Sequence, residues 1–295
     1  MEFVNVLLST YNGEKYLKEQ LDSILNQKGV KVKILIRDDG SSDNTCSIIE
    51  EYMSKYDNVF LTRGDNIGYA KSFWKLITIT DEADYYAFCD QDDIWLEDKL
   101  YSATKMIKEE SSDLPILYTS KVISINADGS IISDNCFNTY GTIGVYESLQ
   151  KSILPGCVFV FNNAAKKIYE QYNGCLESHD WACYAITSIF GKVIYDKQSY
   201  IHYRIHGNNA IGKGDAFKEF LIKAKRLFGK RKKFRSNFAK DILKEYGTFI
   251  TDKQLKTNIE ELAYYDKNFA GRLKLATSKV YKGLIFRLYA LGNRV

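Results

Sequence analysis

Apolar runs alternate with amphipathic stretches through the first hundred residues. The strand-like runs are FVNVLLS (3–9), KVKILIRD (31–38), NVFLTR (58–63) and DYYAFC (84–89). The stretches with apolar side chains at helical spacing are 14–27, 44–56, near 69–79 and about 96–109. A strand followed by a helix, repeated roughly every 27 residues, is typical of βα units. The pattern predicts a doubly wound α/β fold with a mostly parallel sheet flanked by helices.

The alternation weakens after residue 110. Segments 115–126 and 130–133 flank an Asn-Ala-Asp-Gly turn and predict a hairpin. Further on, the pattern predicts a buried strand at 156–162, helices at 163–172 and 178–190, and two short strands within 192–206. From residue 215 the chain becomes helical and basic. We therefore predict a first domain of residues 1–212 and a helical, basic region of residues 213–295.

Polar clusters follow each of the four predicted strands of the first hundred residues. They are STYN (9–12), DDGSSD (38–43), GDN (64–66) and DQDD (90–93). In open parallel sheets, ligands bind beyond the carboxyl ends of the strands. Because all four clusters fall at such ends, the sequence predicts one binding site along a single edge of the sheet.

The DQDD cluster indicates a divalent cation. Asp90 and Asp92 are two residues apart, so at an extended strand end both can turn toward one ligand. Carboxylate oxygens suit Mg²⁺ or Mn²⁺, with water and phosphate completing the coordination. The alternative is a helix N-terminal acid cluster. Capping needs one acid rather than three, which favours the metal.

Composition and motifs exclude several classes of protein. With 45% hydrophobic residues and a net charge of +4, the chain is globular and only mildly basic. It has neither a G-x-x-x-x-G-K-[ST] loop nor a G-x-G-x-x-G after the first strand, which argues against P-loop and dinucleotide-binding proteins. The DxD follows the fourth strand, whereas a phosphatase with an Asp nucleophile is expected to carry it after the first.

These motifs, in this order and together with N-x-G-x-A-K (66–71), resemble the family 2 glycosyltransferases of the GT-A fold over about residues 3–210. The DQDD-x-W form, with HDW (179–181) and YRIHGNN (203–209), is most similar to the bacterial rhamnosyltransferase-like branch. The resemblance implies an inverting, metal-dependent (Mn or Mg) transferase that acts in bacterial surface polysaccharide synthesis. L-Rhamnose from dTDP-rhamnose is the first choice of donor, and a UDP-hexose is the alternative.

The resemblance also implies roles for single residues. Tyr11 would stack on the nucleotide base and Asp39 would accept a hydrogen bond from the base imide, although a core aromatic is an alternative reading of Tyr11. The metal ligands would be Asp90, Asp92 and His206, and a loop histidine without a ligand role is about equally favoured for the last. The full set expected to bind the nucleotide sugar is Ser9, Thr10, Tyr11, Asn12, Asp38, Asp39, Asn66, Lys71, Asp90, Gln91 and Asp92.

The stretch ESHDWACYAI (177–186) contains the expected catalytic base. Asp180 stands at the start of an apolar-periodic helix, where Ser178 or Asp180 can also cap the helix. The resemblance implies that Asp180 is the base, because inverting transfer needs a carboxylate opposite the leaving group. It also implies an acceptor site formed by His179, Trp181, Trp95 and Gly156.

Residues 217–240 combine ten Lys and Arg with one Glu and interleaved Phe and Leu. This composition fits an anionic membrane surface, a nucleic acid, or a solvated basic helix. The resembling branch extends lipid-linked glycans, so we favour the membrane over nucleic acid. No window approaches the ~18 apolar residues of a spanning helix. We expect a cytoplasmic protein that is peripheral at the inner face of the membrane. A non-catalytic nucleotide-, glycan- or nucleic-acid-binding protein remains the alternative class.

Overall fold

The structure, a computed structural model, describes residues 1–133, 143–151, 153–206, 233–293 and 295. These residues form two compact units, Met1–Arg204 and Ile205–Val295. The predicted boundary at residue 212 lies outside the described residues and stays a prediction.

The first unit begins with the predicted alternation of strands and helices. The inner strands are buried because their apolar runs face helices on both sides; Val4, Val6 and Leu8 of the first strand are fully buried. The elements are β1 (Glu2–Thr10), α1 (Leu17–Leu25), β2 (Val30–Asp38), α2 (Thr45–Met53), β3 (Val59–Arg63), α3 (Tyr69–Ile79), β4 (Tyr85–Cys89), β5 (Ile94–Trp95) and α4 (Lys99–Lys108).

The second half of this unit departs from simple alternation. Its elements are β6 (Ile116–Ile125), β7 (Ile131–Ser133), α5 (Val145–Gln150), a 3₁₀ turn (Gly156–Val158), β8 (Val160–Asn162), α6 (Asn163–Tyr169), α7 (His179–Phe190) and β9 (Lys192–Arg204). The predicted hairpin is confirmed, with Ser124 opposite Ser133 and Gly129 at positive φ in the turn. The prediction of two short strands within 192–206 is wrong: β9 is one strand that follows β6 through register shifts near Lys121.

The nine strands of the described residues form one sheet in the order β3-β2-β1-β4-β8-β6-β9-β5, with β7 beside β6. The β3-β2-β1-β4 part is parallel, and β8 is antiparallel to both β4 and β6. Register places Thr10 beside Asp38 and Asp38 beside Arg63, while Leu8 pairs with Cys89. The four polar clusters therefore meet at one edge, as predicted.

The second unit is helical where it is described, as predicted. Its helices are α8 (Phe234–Tyr246), α9 (Lys253–Tyr264), α10 (Phe269–Ala276) and α11 (Leu284–Leu291). Side chains such as Ile242, Ile259 and Leu262 form its core and are fully buried. Within the part of the chain that the structure describes, no helix is both long enough and apolar enough to cross a bilayer.

Candidate active site

We number the loops that follow β1, β2, β3 and β4 at this edge as the first to the fourth. Gln91 of the fourth loop binds residues of the first loop. Its Oε1 accepts hydrogen bonds from Thr10 Oγ1 at 2.6 Å and from the Tyr11 backbone N–H at 2.8 Å, and its Nε2 donates to the Tyr11 carbonyl at 3.2 Å. A Cβ on Gly13 would lie 2.4 Å from Gln91 Oε1, so a larger residue there would displace the Gln91 amide. Gln91 and Thr10, both expected to bind the nucleotide sugar, thus bind each other in this structure.

The second loop is held by Asp38 and Asn12. Asp38 accepts the N–H groups of Gly40 at 3.1 Å and Ser41 at 2.9 Å, as well as the Ser41 hydroxyl. Asn12 adopts a positive φ of 49° and accepts the Ser42 N–H at 2.8 Å. Short polar side chains tolerate this left-handed conformation. These two predicted binding residues therefore hold the conformation of the turn at residues 40–42.

Arg37 and Asp39 form a buried ion pair below the third loop. Asp39 also accepts the backbone N–H groups of Ile67 and Gly68, each at 2.9 Å, so this carboxylate holds the segment that contains Asn66. Sequence reasoning missed Arg37, which reads as the polar end of a strand. Its role depends on the packing of strand β2 against the 64–68 loop, which no local sequence pattern shows.

Ser72 continues this network toward the first loop. Its hydroxyl accepts the Ser9 hydroxyl proton at 2.6 Å and a hydrogen bond from Arg37 Nη1 at 3.0 Å. Asn66 and Lys71 are exposed beside it, and Tyr11 is 48% exposed. The edge therefore combines polar side chains that hydrogen-bond to one another with exposed side chains that can contact a ligand.

The DQDD loop brings acidic groups close together. Ligand atoms of Asp90, Asp93 and Cys157 all lie within 4.8 Å of one another. Burial, and then the negative charges of Asp92 and Asp180, raise the pKa of Asp90. Burial and the charges of Asp92 and Asp90 raise the pKa of Asp93 well above its usual range. The carboxyl groups are thus crowded in a buried place where their charged forms are disfavoured, and the cluster includes Asp93 where the sequence prediction paired Asp90 with Asp92.

Arg204 fixes the backbone of this acidic loop. Its N–H donates to Asp93 Oδ1 at 3.0 Å and its Nε donates to the Asp92 carbonyl at 2.9 Å. The buried guanidinium also binds Glu19 and lies 4.5 Å from the centre of the Tyr16 ring. His206 follows two residues later, in the second unit, and its predicted metal contact stays a prediction.

A buried lysine lies behind the acids. Lys99 is 1% exposed, and its Nζ lies 3.8 Å from the centre of the Trp95 ring. Burial lowers the pKa of Lys99 to about 8, and the nearby Cys89, Cys157 and Asp93 act in the opposite direction. This cation partly balances the acidic loop from the protein interior.

Asp180 lies in the first turn of α7, as predicted. Its Oδ1 accepts the Trp181 N–H at 2.7 Å and the Ser178 hydroxyl proton, and Ser178 is the N-cap. Among the described residues, nothing donates a hydrogen bond to Asp180 Oδ2. The Asp180 charge raises the pKa values of both Asp90 and Tyr69. Asp180 therefore contributes to the start of the helix through Oδ1 and keeps a second carboxylate oxygen that accepts no hydrogen bond from the described residues.

The four residues expected to bind the acceptor are all buried. His179 stacks on Phe73 at 4.1 Å, and burial lowers its pKa to about 4, so the ring is neutral. Trp95 and Trp181 are 3% and 5% exposed, and Gly156 is buried. In this structure all four are packing residues, and their contact with an acceptor stays a prediction.

Gly156 and Tyr69 add two features to this region. A Cβ on Gly156 would lie 2.7 Å from His179 Nε2 and 3.2 Å from Asp180 Cβ, so glycine permits the close approach of α7. Tyr69 is 50% exposed, and its ring meets that of His179 edge-on at 6.1 Å. Tyr69, which the sequence reasoning missed, is the exposed aromatic side chain next to Asp180. Its position directly after Asn66-Ile67-Gly68 was the available signal.

Comparisons with known proteins show the family of this chain. The family model for "Glycosyl transferase family 2" matches residues 5–126. The chain is 31% identical over 286 residues to the dTDP-rhamnosyl transferase RfbG of Shigella flexneri, covering 92% of each protein. It is 29% identical over 115 residues to the glycosyltransferase GlyG of Streptococcus pneumoniae, covering 39% of this chain and 38% of that protein.

The fold resembles that of S. aureus TarS. The TarS structure in complex with UDP matches with a TM-score of 0.58 and 18% identity, covering 95% of this chain and 76% of that chain. The structure with UDP-GlcNAc gives 0.57 and 17%, covering 99% and 89%. The match confirms the predicted GT-A-type fold, and the likeness to the Shigella enzyme spans nearly the whole chain. The chain belongs to glycosyl transferase family 2 and is a nucleotide-sugar glycosyltransferase.

Proposed function

We propose that this enzyme transfers L-rhamnose from dTDP-rhamnose to a hydroxyl group of a glycan, with inversion at the anomeric carbon. The likeness to a dTDP-rhamnosyl transferase over 92% of the chain supports the choice of donor. The observation that carries the mechanism is Asp180, whose Oδ2 accepts no hydrogen bond from the described residues and whose charge acts on Asp90.

Asp180 is the proposed general base. Trp181 N–H and Ser178 Oγ hold Oδ1, which leaves Oδ2 oriented to take the proton of the acceptor hydroxyl. As that proton leaves, the acceptor oxygen forms a bond to the anomeric carbon and the bond from this carbon to the diphosphate breaks. Because the base and the leaving group act on opposite faces of the sugar, the configuration inverts.

A divalent cation, Mn²⁺ or Mg²⁺, fits the acidic loop. Burial, and then the charge of Asp92, raise the pKa of both Asp90 and Asp93, and Asp93 Oδ2 is buried without a hydrogen-bond partner among the described residues. Burial raises the pKa of the Cys157 thiol, which disfavours it as a ligand for a hard cation. We propose Asp90 and Asp92 as ligands, with His206 as a third. A bound cation supplies Lewis-acid stabilisation of the departing diphosphate.

The nucleotide is proposed to bind across the first and third loops. Tyr11 offers a half-exposed ring for the base, and Asn66 and Lys71 offer exposed polar groups for the base and the diphosphate. Asp39 already accepts three hydrogen bonds, from Arg37, Ile67 and Gly68. A carboxylate has about four lone-pair sites, so one remains for the base imide N–H.

The acceptor is proposed to be a lipid-linked intermediate of a bacterial surface polysaccharide. We also propose that residues 217–240 hold the enzyme at an anionic membrane, where ten cations act together. Residues 217–232 lie outside the described residues, so their composition is the support for this proposal.

Hydrolysis of a panel of donors tests the function. dTDP-rhamnose, UDP-glucose and UDP-GlcNAc are incubated with the enzyme, with and without Mn²⁺, and released nucleoside diphosphate is measured. We expect turnover with dTDP-rhamnose and Mn²⁺. When an acceptor glycan is added, NMR of the transfer product should show inversion. Asp180→Asn serves as the inactive control. Turnover with a UDP-sugar alone would refute the donor, and metal-dependent binding of diphosphate without any turnover would favour a non-catalytic protein.

A further inference from the structure

An exposed apolar surface lies on the last two helices of the second unit. Leu284, Leu288 and Leu291 share one face of α11, because they are four and three residues apart, and they are 74%, 52% and 39% exposed. Phe269 and Leu273, one turn apart on α10, are 62% and 46% exposed. We refer to these five side chains as the α10–α11 face.

The opposite side of α11 is also apolar. Phe286 is buried and stacks on Tyr281 at 5.6 Å, and Ala290 is fully buried. Arg272 Nη1 donates to the Leu291 carbonyl at 3.4 Å and ties the two helices together. In the helix sequence LIFRLYAL, Arg287 is the one charged residue. Exposed leucines clustered on one helix face are unfavourable in water, so the outer face indicates a partner.

The charge around this face identifies the partner. Residues 267–295 contain no Asp or Glu and seven Lys or Arg. Lys279, Lys282 and Arg287 are exposed, and Lys274 pairs with Glu261 of α9 at 2.8 Å. A second copy of the chain would oppose positive charge with positive charge. A nucleic acid would match the cations but not the leucines. An anionic bilayer offers phosphate groups at its surface and an apolar interior directly below them.

We propose that the α10–α11 face inserts into the headgroup region of an anionic bilayer, with α11 lying along the membrane surface. Eight residues of α-helix extend about 12 Å, far short of a bilayer core of about 30 Å, so α11 lies in the interface. This inference rests on the proposed membrane association and adds to it a second contact, made by described residues that are separate from 217–240.

Co-sedimentation of the full-length chain with vesicles tests the proposal. Vesicles of phosphatidylcholine alone are compared with vesicles containing phosphatidylglycerol, at low and at high salt. We expect binding to the anionic vesicles that weakens as salt rises. The double variant Leu284→Ser/Leu288→Ser should lower the partition coefficient about tenfold or more, because two leucines no longer enter the bilayer.

Phe249→Ser is the matched control. Phe249 is 64% exposed on the connection between α8 and α9, outside the α10–α11 face, so its loss should leave vesicle binding unchanged. A second readout uses fluorescence: the emission of Leu288→Trp should shift to the blue when anionic vesicles are added, whereas that of Phe249→Trp should not. This readout does not depend on the folding of the double variant.

Several results would overturn the proposal. Equal binding of the wild type to both kinds of vesicle would show that anionic lipid is not required and would refute the choice of an anionic bilayer as the partner. Unchanged binding of the double variant would return the membrane role to residues 217–240, which that variant keeps. A wild-type dimer in solution that the double variant loses would assign the face to self-association. Donor hydrolysis without vesicles separates the two ideas, because vesicle binding without any turnover refutes the proposed function and leaves the docking surface in place.

Discussion

The buried pair of Arg37 and Asp39 leads to a prediction about stability. The two side chains are only 6% and 3% exposed, so water does not screen them. Arg37→Met keeps an unbranched side chain but leaves the Asp39 carboxylate without its cation. Removing one partner of a buried ion pair costs about 3–5 kcal/mol. Because the N–H groups of Ile67 and Gly68 still bind Asp39, we expect the lower end, about 3 kcal/mol.

Urea unfolding followed by circular dichroism measures this loss. The matched control is Arg63→Met at the end of the neighbouring strand, because Arg63 and Glu50 are 57% and 55% exposed and such a pair contributes about 0–1 kcal/mol. The double variant Arg37→Met/Asp39→Asn should recover part of the stability, since it no longer buries an unpaired charge. A free energy of unfolding for Arg37→Met within about 0.5 kcal/mol of the control would refute the reasoning.

Three further predictions concern the reaction. Asp180→Asn should lower kcat about 10²–10⁴-fold while calorimetry shows unchanged donor affinity; lost affinity with normal kcat would contradict the role of base. Asp92→Asn should keep the fold, seen by circular dichroism, but abolish Mn²⁺-dependent turnover; full activity at any metal concentration would exclude it. Gly156→Ala should displace His179 and Asp180, costing about 1–3 kcal/mol of stability and lowering kcat more than donor affinity; kinetics equal to wild type would refute this steric argument.

The parallel half of the fold could be read from the sequence because its signals are local. Each strand is a continuous apolar run, and each helix follows within one βα unit. The later strands depend on partners far along the chain. β9 appears as two short strands in the sequence because Asp196, Lys197 and Gln198 interrupt its apolar character. Its pairing with β6 bridges that interruption through register shifts.

The sequence predicts where the candidate site lies better than it predicts the contacts that its side chains make. Register alone brings the ends of β1 to β4 together, so the four polar clusters were found. Whether a side chain faces the ligand or the interior depends on packing that no local pattern contains. Trp95 and Trp181 are therefore buried although both stand in motifs, and Gln91 binds its neighbouring loop.

The contacts of Arg204 have a consequence for the order of folding. Its bonds to Asp93 and Asp92 span 111 and 112 residues, and its bond to Glu19 spans 185. Contacts between distant residues form late, because closing a long loop costs entropy before any contact repays it. On a ribosome the nucleotide side of the edge can fold first, and the acidic loop gains its last backbone bonds only after β9 has emerged. Regain of catalytic activity during refolding should accordingly lag behind regain of the helical circular dichroism signal; simultaneous recovery would contradict this order.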